Sequence, residues 1–410
     1  MRYDAIAPFL FFFDLLVFLL KSIYQALMQF LTRRLAKTPF QKFALSFSRR
    51  LSSDIAFVFD IDGVLVRGSH PLPKAKEALE LLNKHKVPFI LMTNGGGYSE
   101  KIRTDFLSSK IGFLISPLQL VQSHTPMKAL AHENGYNRVM VVGGPQDKAR
   151  HCALGYGFQD VIMPVDIVRA FPGVSPHHRF NEEELINYAL EPSKSHLDKP
   201  IDAVLVFNDP RDMGTDIQIV SDMLNSQNGK IGTKRNTKEL KNREDPAIPI
   251  IFSNNDFVFA SDYPLPRFGQ GAFRIIIEQL YREINGLDSH ENLHSIIMGK
   301  PFKIQYDFAH FVLIDWRKKL MENRIHDTNQ TLPELNKAPA DSPFSKIYMV
   351  GDNPASDIKG ANDHGWESLL VRTGVFKDDD WDSIVAKPTG GVFDNVLESV
   401  KYALAQNRII

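Results

Sequence analysis

The sequence predicts an α/β chain: a doubly wound, Rossmann-like parallel sheet with a second α/β domain inserted into it. From Asp54 onward, short apolar runs alternate with helical patterns, as expected of strands buried on both faces by crossover helices. Several of those runs end in Asp, Thr-Asn or Gly-Asp. Such residues belong at the carboxyl edge of an open parallel sheet, where ligands bind.

A chain of 410 residues exceeds one ordinary core and points to two domains plus appendages. Its 48 basic and 48 acidic residues balance, so nothing in the totals calls for nucleic acid or an acidic surface as partner. The single cysteine, Cys152, excludes an internal disulfide framework and fits a reducing compartment. It lies in the helical-looking "DKARHCALGYG", where it reads as a small buried residue.

Residues 1–53 stand apart. Their only acids are Asp4 and Asp14, against Arg2, Lys21, Arg33, Arg34, Lys37, Lys42, Arg49 and Arg50, which is the composition of a mitochondrial targeting segment. The apolar run from Ala5 to Leu20 supports the alternative of an N-terminal membrane anchor. Asp14 interrupts that run, however, and it falls short of the ~20 residues a spanning helix needs. Membrane contact is expected through this segment alone.

The elements follow in order. "IAFVFDI" reads as a strand, and "PKAKEALELLNKHK" as a helix with Ala75, Ala78, Leu79 and Leu82 on one face. "VPFILMTN" is the next strand; a glycine-rich loop then leads into a helix capped by Ser99, with Glu100 in its first turn as a dipole partner. "RVMVVGG", "DAVLVFND" and "IPIIFSNND" are strands, with "DIQIVSDMLN" as a helix before the last. Then come "GAFRIIIEQLYREI" (helix), "SIIMGKPF" (strand), "KIQYDFAHFVLIDWRKKL" (helix) and "SKIYMVGDNPASDIKGANDHG" (strand and helix). The polar stretch 322–342 reads as a surface insert, and "FDNVLESVKYALAQ" as a closing helix. The resulting division is a core in two parts, 54–120 and 256–410, around an inserted domain at 121–255.

Four polar groups fall at strand ends: Asp60 with Asp62, Thr93 with Asn94, Lys300, and Asp352 with Asp357. Two acids at alternate positions after a buried strand need a cation, a proton or open water. Asp60 and Asp352 together suit Mg²⁺, a hard cation that takes oxygen ligands. Asp60 is then placed to attack phosphorus, and Asp62, past the turn Gly63 permits, to act as general acid and base. The Thr93 hydroxyl and the backbone N–H groups of Asn94 and Gly95 suit phosphoryl oxygens, and Lys300 suits both the phosphoryl group and Asp60. Asp357 is placed to orient Lys300 or a metal-bound water. Each residue alone also reads as a cap, a turn or a dipole partner; the ordered set does not.

"FDIDGV", "LMTN", "MGKP" and "VGDNPASDI" resemble the four ordered motifs of the haloacid dehalogenase superfamily. The resemblance implies Asp60 as nucleophile, Asp62 as acid/base, Thr93 and Lys300 as phosphate and nucleophile partners, and Asp352 as metal ligand. It also implies the Asp62 carbonyl oxygen on Mg²⁺. Between Asp62 and Thr93 there is room for one helix, and between Thr93 and Lys300 for a complete α/β cap. That arrangement is similar to class IIA, the NagD-like phosphatases, whose caps close over small substrates and often pair two subunits. "SNND" looks like their element at the return from cap to core. "TNGGGYSE", "SPLQLVQSHTP", "RFGQGAFR" and "YDFAHFVLIDW" further resemble the fungal mitochondrial hydrolases of the cat-eye-syndrome-critical-region type.

Two departures from the class stand out. Three glycines follow Asn94, which reads as a loosened phosphate loop, and Ser356 stands where threonine is usual before Asp357. In the cap, Asp209 reads as a turn former, being followed by proline, while Asp256 suits the crevice and a turn equally. "VVGGP" lacks a dinucleotide-binding pattern, and His177 and His178 lack metal-ligand spacing.

The reading as a whole is a mitochondrial, Mg²⁺-dependent phosphohydrolase of a small phosphorylated metabolite. Its rivals are a binding or scaffold module of the same fold, and a phosphotransferase using the same residues.

Overall fold

Apolar side chains fill every position of the run Ile55–Phe59, and all of them are buried. A strand buried on both faces must be sandwiched between helices. Phe57 and Phe59 face a layer that includes Leu79, Leu82, Leu107, Val400 and Leu404, while Ala56 and Val58 face Tyr306, Val312, Leu313 and Trp316. This is the doubly wound arrangement. The computed structural model describes residues 54–410 apart from 133–134, 238–239, 260–262 and 264. The proposed targeting or anchoring segment therefore lies outside the described residues, among which no helix is long and apolar enough to cross a membrane.

In chain order the sheet strands are β1 (Ile55–Phe59), β2 (Phe89–Met92), β3 (Leu120–Val121), β4 (Arg138–Val142), β5 (Asp160–Ile162), β6 (Ala203–Val206), β7 (Ile250–Phe252), β8 (Ile296–Ile297), β9 (Lys346–Gly351), β10 (Glu367–Val371) and β11 (Gly391–Phe393). They form two sheets, one in the order β11-β10-β9-β1-β2-β3 and one in the order β8-β7-β6-β4-β5. Every ladder in both sheets is parallel. In the first, β1 is central, with Phe57 beside Tyr348 on one flank and beside Phe89 on the other.

The second sheet is doubly wound as well. Val204, Val206 and Phe252 pack with Ile219, Val220 and Met223 of the helix Met213–Leu224. On its other face Val139, Val141 and Leu205 pack with Cys152, Ala153 and Tyr156 of the helix Lys148–Tyr156. Cys152 is thus the buried packing residue expected, and burial pushes its thiol up to about 12, which leaves it inert.

One expected boundary moves. The helix Gln270–Asn285 and the strand β8, read from sequence as core, belong to the second sheet. Ile296 pairs with Ile251 and Ile297 with Phe252, while Phe273, Ile277 and Tyr281 join the same cluster as Val206 and Phe252. Those three residues stand four apart, so they form one helical stripe, and the cap sheet offers the apolar face that covers it.

Candidate active site

The carboxyl ends of the two sheets meet, and the polar residues of both converge there. Asp60 follows β1, its N–H donating to the Val350 carbonyl at 2.9 Å. The chain then turns sharply: Gly63, at φ +93, donates its N–H to the Val66 carbonyl at 2.7 Å. A side chain at Gly63 would overlap the Asp352 carboxylate, so glycine is needed both for the turn and for the close approach. Asp352, at the end of β9, is fixed by the Val375 N–H, 2.6 Å from its Oδ2.

Asp357 sits in the π-helical turn Pro354–Ile358, which Asn353 caps by accepting from the Ala355 N–H at 3.0 Å. Its Oδ2 accepts from the N–H groups of Asp352 and Asn353 at 3.2 and 3.1 Å. That leaves Oδ1 for Lys300, whose Nζ lies 2.7 Å away and also donates to Asp60 Oδ1. Asp357 therefore contacts Lys300 directly, and the same ammonium reaches Asp60.

Lys300 arrives from the cap sheet, not the core, and Asn94 holds it in place. Asn94 Oδ1 accepts from the Lys300 N–H at 2.7 Å, and its Nδ2 donates to the Lys300 carbonyl and to Asp256 Oδ1, each at 3.0 Å. Only the backbone of Asn94 was expected to matter; its side chain is the clamp on the lysine. The same contact places Asp256 at the crevice, where burial raises its carboxyl above the ordinary range and the bond from Asn94 opposes the rise.

Oxygen atoms of Asp60, Asp352 and Asp357 lie within 4.8 Å of one another, all three residues being buried. Burial pushes Asp60 well above the usual carboxylate range; Lys300 opposes this, and Asp357 and Asp352 add to it. Burial and the Asp357 charge bring Asp352 up to about 6. Against its own burial, Lys300 is held above its ordinary value by Asp357 and Asp60. Three buried acids facing one lysine leave negative charge uncompensated, and their hard oxygen donors fit Mg²⁺. Asp62, expected at the metal through its carbonyl, turns its carboxylate away. That side chain is half-exposed, accepts from Arg103 at 3.2 Å, and is raised by the surrounding protein against the pull of Arg103 and Lys300.

Two expectations about the phosphate loop need correction. The Gly95 N–H does not stand free for a phosphoryl oxygen: it donates to Thr93 Oγ1 at 3.0 Å, because the loop curls back on its own hydroxyl. Nor are the glycines there to loosen the chain. A methyl group on Gly96 would overlap the His124 ring, and one on Gly97, at φ +86, would overlap the Asn208 amide. Asn208 Nδ2 donates to the Gly96 carbonyl at 3.0 Å, so the cap presses directly on this loop. Asp209, expected in a turn, lies in irregular chain after β6, its carbonyl accepting from the Gly144 N–H at 3.2 Å and its carboxyl raised by burial.

Arg103 and Glu100 were not foreseen as site neighbours. The Ser99 cap, whose hydroxyl accepts from the Ile102 N–H at 3.4 Å, located their helix. Nothing local indicates that Arg103 meets Asp62 or that Glu100 is buried.

Comparison with known proteins agrees with this geometry. A haloacid dehalogenase-like hydrolase family model matches residues 57–159, and a related HAD-hydrolase-like model matches 297–399. A mitochondrial hydrolase of Saccharomyces cerevisiae, YKR070W, is 50% identical over 361 residues, covering 87% of this chain and 99% of that protein. A Schizosaccharomyces pombe fusion of a CMP-forming cardiolipin synthase with a mitochondrial hydrolase is 38% identical over 378 residues, 92% of this chain but only 57% of its own length. Among solved structures, the p-nitrophenyl phosphatase of Archaeoglobus fulgidus superposes with a TM-score of 0.51 at 16% identity, covering 85% of this chain and 99% of that one. A 4-nitrophenylphosphatase of Thermotoga maritima superposes at 0.50 with 17% identity, covering 86% and 98%. At such identities the solved structures speak for the fold. The chain belongs to the haloacid dehalogenase superfamily of hydrolases.

Proposed function

We propose that this protein is a Mg²⁺-dependent phosphatase that hydrolyses a small phosphate ester through an aspartyl phosphate on Asp60. The observation that carries the reading is the buried set of Asp60, Asp352 and Asp357 around the single ammonium of Lys300. Asp60, the Asp62 carbonyl and Asp352 are the residues to hold Mg²⁺, which when bound keeps the acids ionised and offsets phosphoryl charge.

One Asp60 oxygen attacks phosphorus while the bond to the leaving oxygen breaks, and the Asp62 carboxyl gives that oxygen its proton. The Asp62 side chain is half-exposed, so its carboxyl is open to exchange protons with water. Water then attacks the aspartyl phosphate, Asp62 takes the water's proton, and phosphate leaves with Asp60 restored. Lys300, oriented by Asp357 and clamped by Asn94, faces the negative charge throughout. The Thr93 hydroxyl accepts from the Gly95 N–H and keeps its own proton to donate to a phosphoryl oxygen.

The relative named as a mitochondrial hydrolase supports a mitochondrial location, which fits the composition of residues 1–53. The fission-yeast relative, fused to a cardiolipin synthase, puts phosphate esters of glycerol and of phospholipid headgroups first in any substrate panel. The test is phosphate release from that panel with and without Mg²⁺, beside Asp60→Asn. Mg²⁺-dependent release that falls by about a thousandfold or more in the variant is expected. Undiminished release from Asp60→Asn would refute the nucleophile assignment, and a phosphorylated product other than free phosphate would make the protein a transferase.

A further inference from the structure

A buried polar chain that the reaction above does not use runs from the core to the cap behind the phosphate loop. Tyr156 donates its hydroxyl proton to Glu100 Oε1 at 2.6 Å, and Thr125 Oγ1 donates to the same oxygen at 2.8 Å. Lys128 Nζ lies 3.1 Å from that oxygen. His124 Nδ1 stands 2.7 Å from the Tyr156 hydroxyl. A tyrosine has one proton to give, and here the carboxylate receives it, so Nδ1 of His124 must be the donor. The ring is then neutral with a bare Nε2, and that atom is buried without a hydrogen-bond partner. Burial holds His124 in this state by lowering it to about 4.

Everything around His124 fixes its ring. It stacks on Phe207 with centroids 5.0 Å apart and planes 6° from parallel, and its other neighbour is Gly96, which has no room for a methyl group. The loop's carbonyls are fastened on the same side. Gly95 accepts from the Ser123 N–H at 3.4 Å, Gly96 from Asn208 Nδ2 at 3.0 Å, and Tyr98 from Gln122 Nε2 at 2.8 Å. A trans peptide points its N–H opposite its carbonyl. The Gly96 N–H is therefore turned away from the Ser123 N–H, and the Gly97 N–H away from the Asn208 amide.

We propose that His124 is a positioning residue for the phosphoryl-binding loop, its ring held by Tyr156 and Phe207 so that Gly96 keeps the register in which the loop receives a phosphoryl group. This rests on the phosphatase reading. A misplacement of about 1 Å in such a loop costs up to about a hundredfold, so the seat of one imidazole ring matters. The chain also gives the cap a grip on the loop, because Tyr156 and Phe207 are cap residues while Glu100 belongs to the core helix Glu100–Ile111.

The experiment compares His124→Leu, His124→Asn and Tyr156→Phe with the wild-type protein. Three quantities are read: amide hydrogen exchange in residues 94–98, affinity for inorganic phosphate in the presence of Mg²⁺, and kcat and KM on the best ester. Leu should speed exchange in the loop and weaken phosphate binding by about tenfold or more. Asn, which keeps a donor near the Nδ1 position, should recover part of both effects, and Tyr156→Phe should shift both in the direction of Leu. If the Leu variant fails to fold, Tyr156→Phe decides. Unchanged exchange, or faster exchange with unchanged phosphate affinity, would overturn the assignment. A wild-type protein that binds phosphate but turns over no ester would sink the phosphatase reading alone, whereas one that binds no phosphate would sink both.

Discussion

Two of the buried charged clusters, one in each sheet's layer, are built on opposite plans. In the cap, Arg150 meets Asp166 in a two-pronged pair at 2.8 and 2.9 Å, and the N–H groups of Met163 and Leu190 complete the carboxylate at 2.7 Å each. One acid meets one base, and both oxygens of the carboxylate have partners. In the core, the one ammonium of Lys300 bonds to Asp60 and Asp357, and Asp352 lies beside them with no ion pair to it. A balanced, fully bonded pair needs nothing further, so its role is to hold the fold. An unbalanced cluster is kept against its own repulsion, which is the mark of a working site.

Removing the cation from each cluster tests that contrast most severely. Arg150→Met should cost about 3–5 kcal/mol of stability, because Asp166 is left charged and buried, yet leave the kcat of the folded fraction within about twofold. Lys300→Met should abolish phosphate release, and its effect on stability should depend on pH. The carboxyl of Asp352 is already up at about 6 with the lysine present, and without it the acids prefer the protonated form more strongly. A folded-state pKa raised in this way gives stability that is present at low pH and lost as pH rises. Thermal melts in metal-free buffer should thus show Lys300→Met close to the wild-type protein near pH 4 and clearly below it at pH 8. An Arg150→Met variant that loses turnover while staying folded would erase the distinction between the clusters.

The contrast also explains what could be read from the chain alone. Asp60 and Asp352 are legible because each follows a continuous apolar run, and a carboxylate there needs a reason. Asp357 and Lys300 could be paired on the same grounds. Pairings between distant segments leave no such trace: Asn94 clamping the Lys300 backbone, Arg103 meeting Asp62, and His124 lying against Gly96 each join residues far apart in sequence. The glycines after Asn94 mislead in a particular way. Glycine serves loose chain and close contact alike, and only the cap residues packed on Gly96 and Gly97 tell the two apart. The strand Ile296–Ile297 misleads likewise, since a short apolar run does not name its sheet.

A smaller effect is expected at Asp216, in the cap helix Met213–Leu224. Burial, with help from Asp212 and against Arg179, raises this carboxyl to about 8. It is an acid pushed up without any lysine or metal site, so it separates the effect of burial from that of catalysis. Because its folded pKa lies above the unfolded value, it contributes stability in acid that is lost as pH rises from about 4 through about 8. Asp216→Asn should therefore match the wild-type protein near pH 4 and exceed it by about 1–3 kcal/mol above pH 8, with kcat unchanged at every pH. Denaturant melts across that range measure it. An Asn variant less stable than wild type at pH 8 would mean that the carboxylate is paired after all.

The smallest change expected is at the seam where the two sheets touch. Asn208→Ala removes the donor to the Gly96 carbonyl and leaves that acceptor in a half-buried place, a loss of about 1 kcal/mol. In a one-piece protein that would be a stability effect alone. Here the bond joins the cap to the phosphate loop, so the loss should appear as a severalfold higher KM with a smaller change in kcat. The bound phosphoryl group then has to order a loop the cap no longer holds. Melting temperature should fall by only a few degrees. If the temperature falls and KM does not, the cap contributes cohesion at this point and no more, and the loop takes its shape from the core.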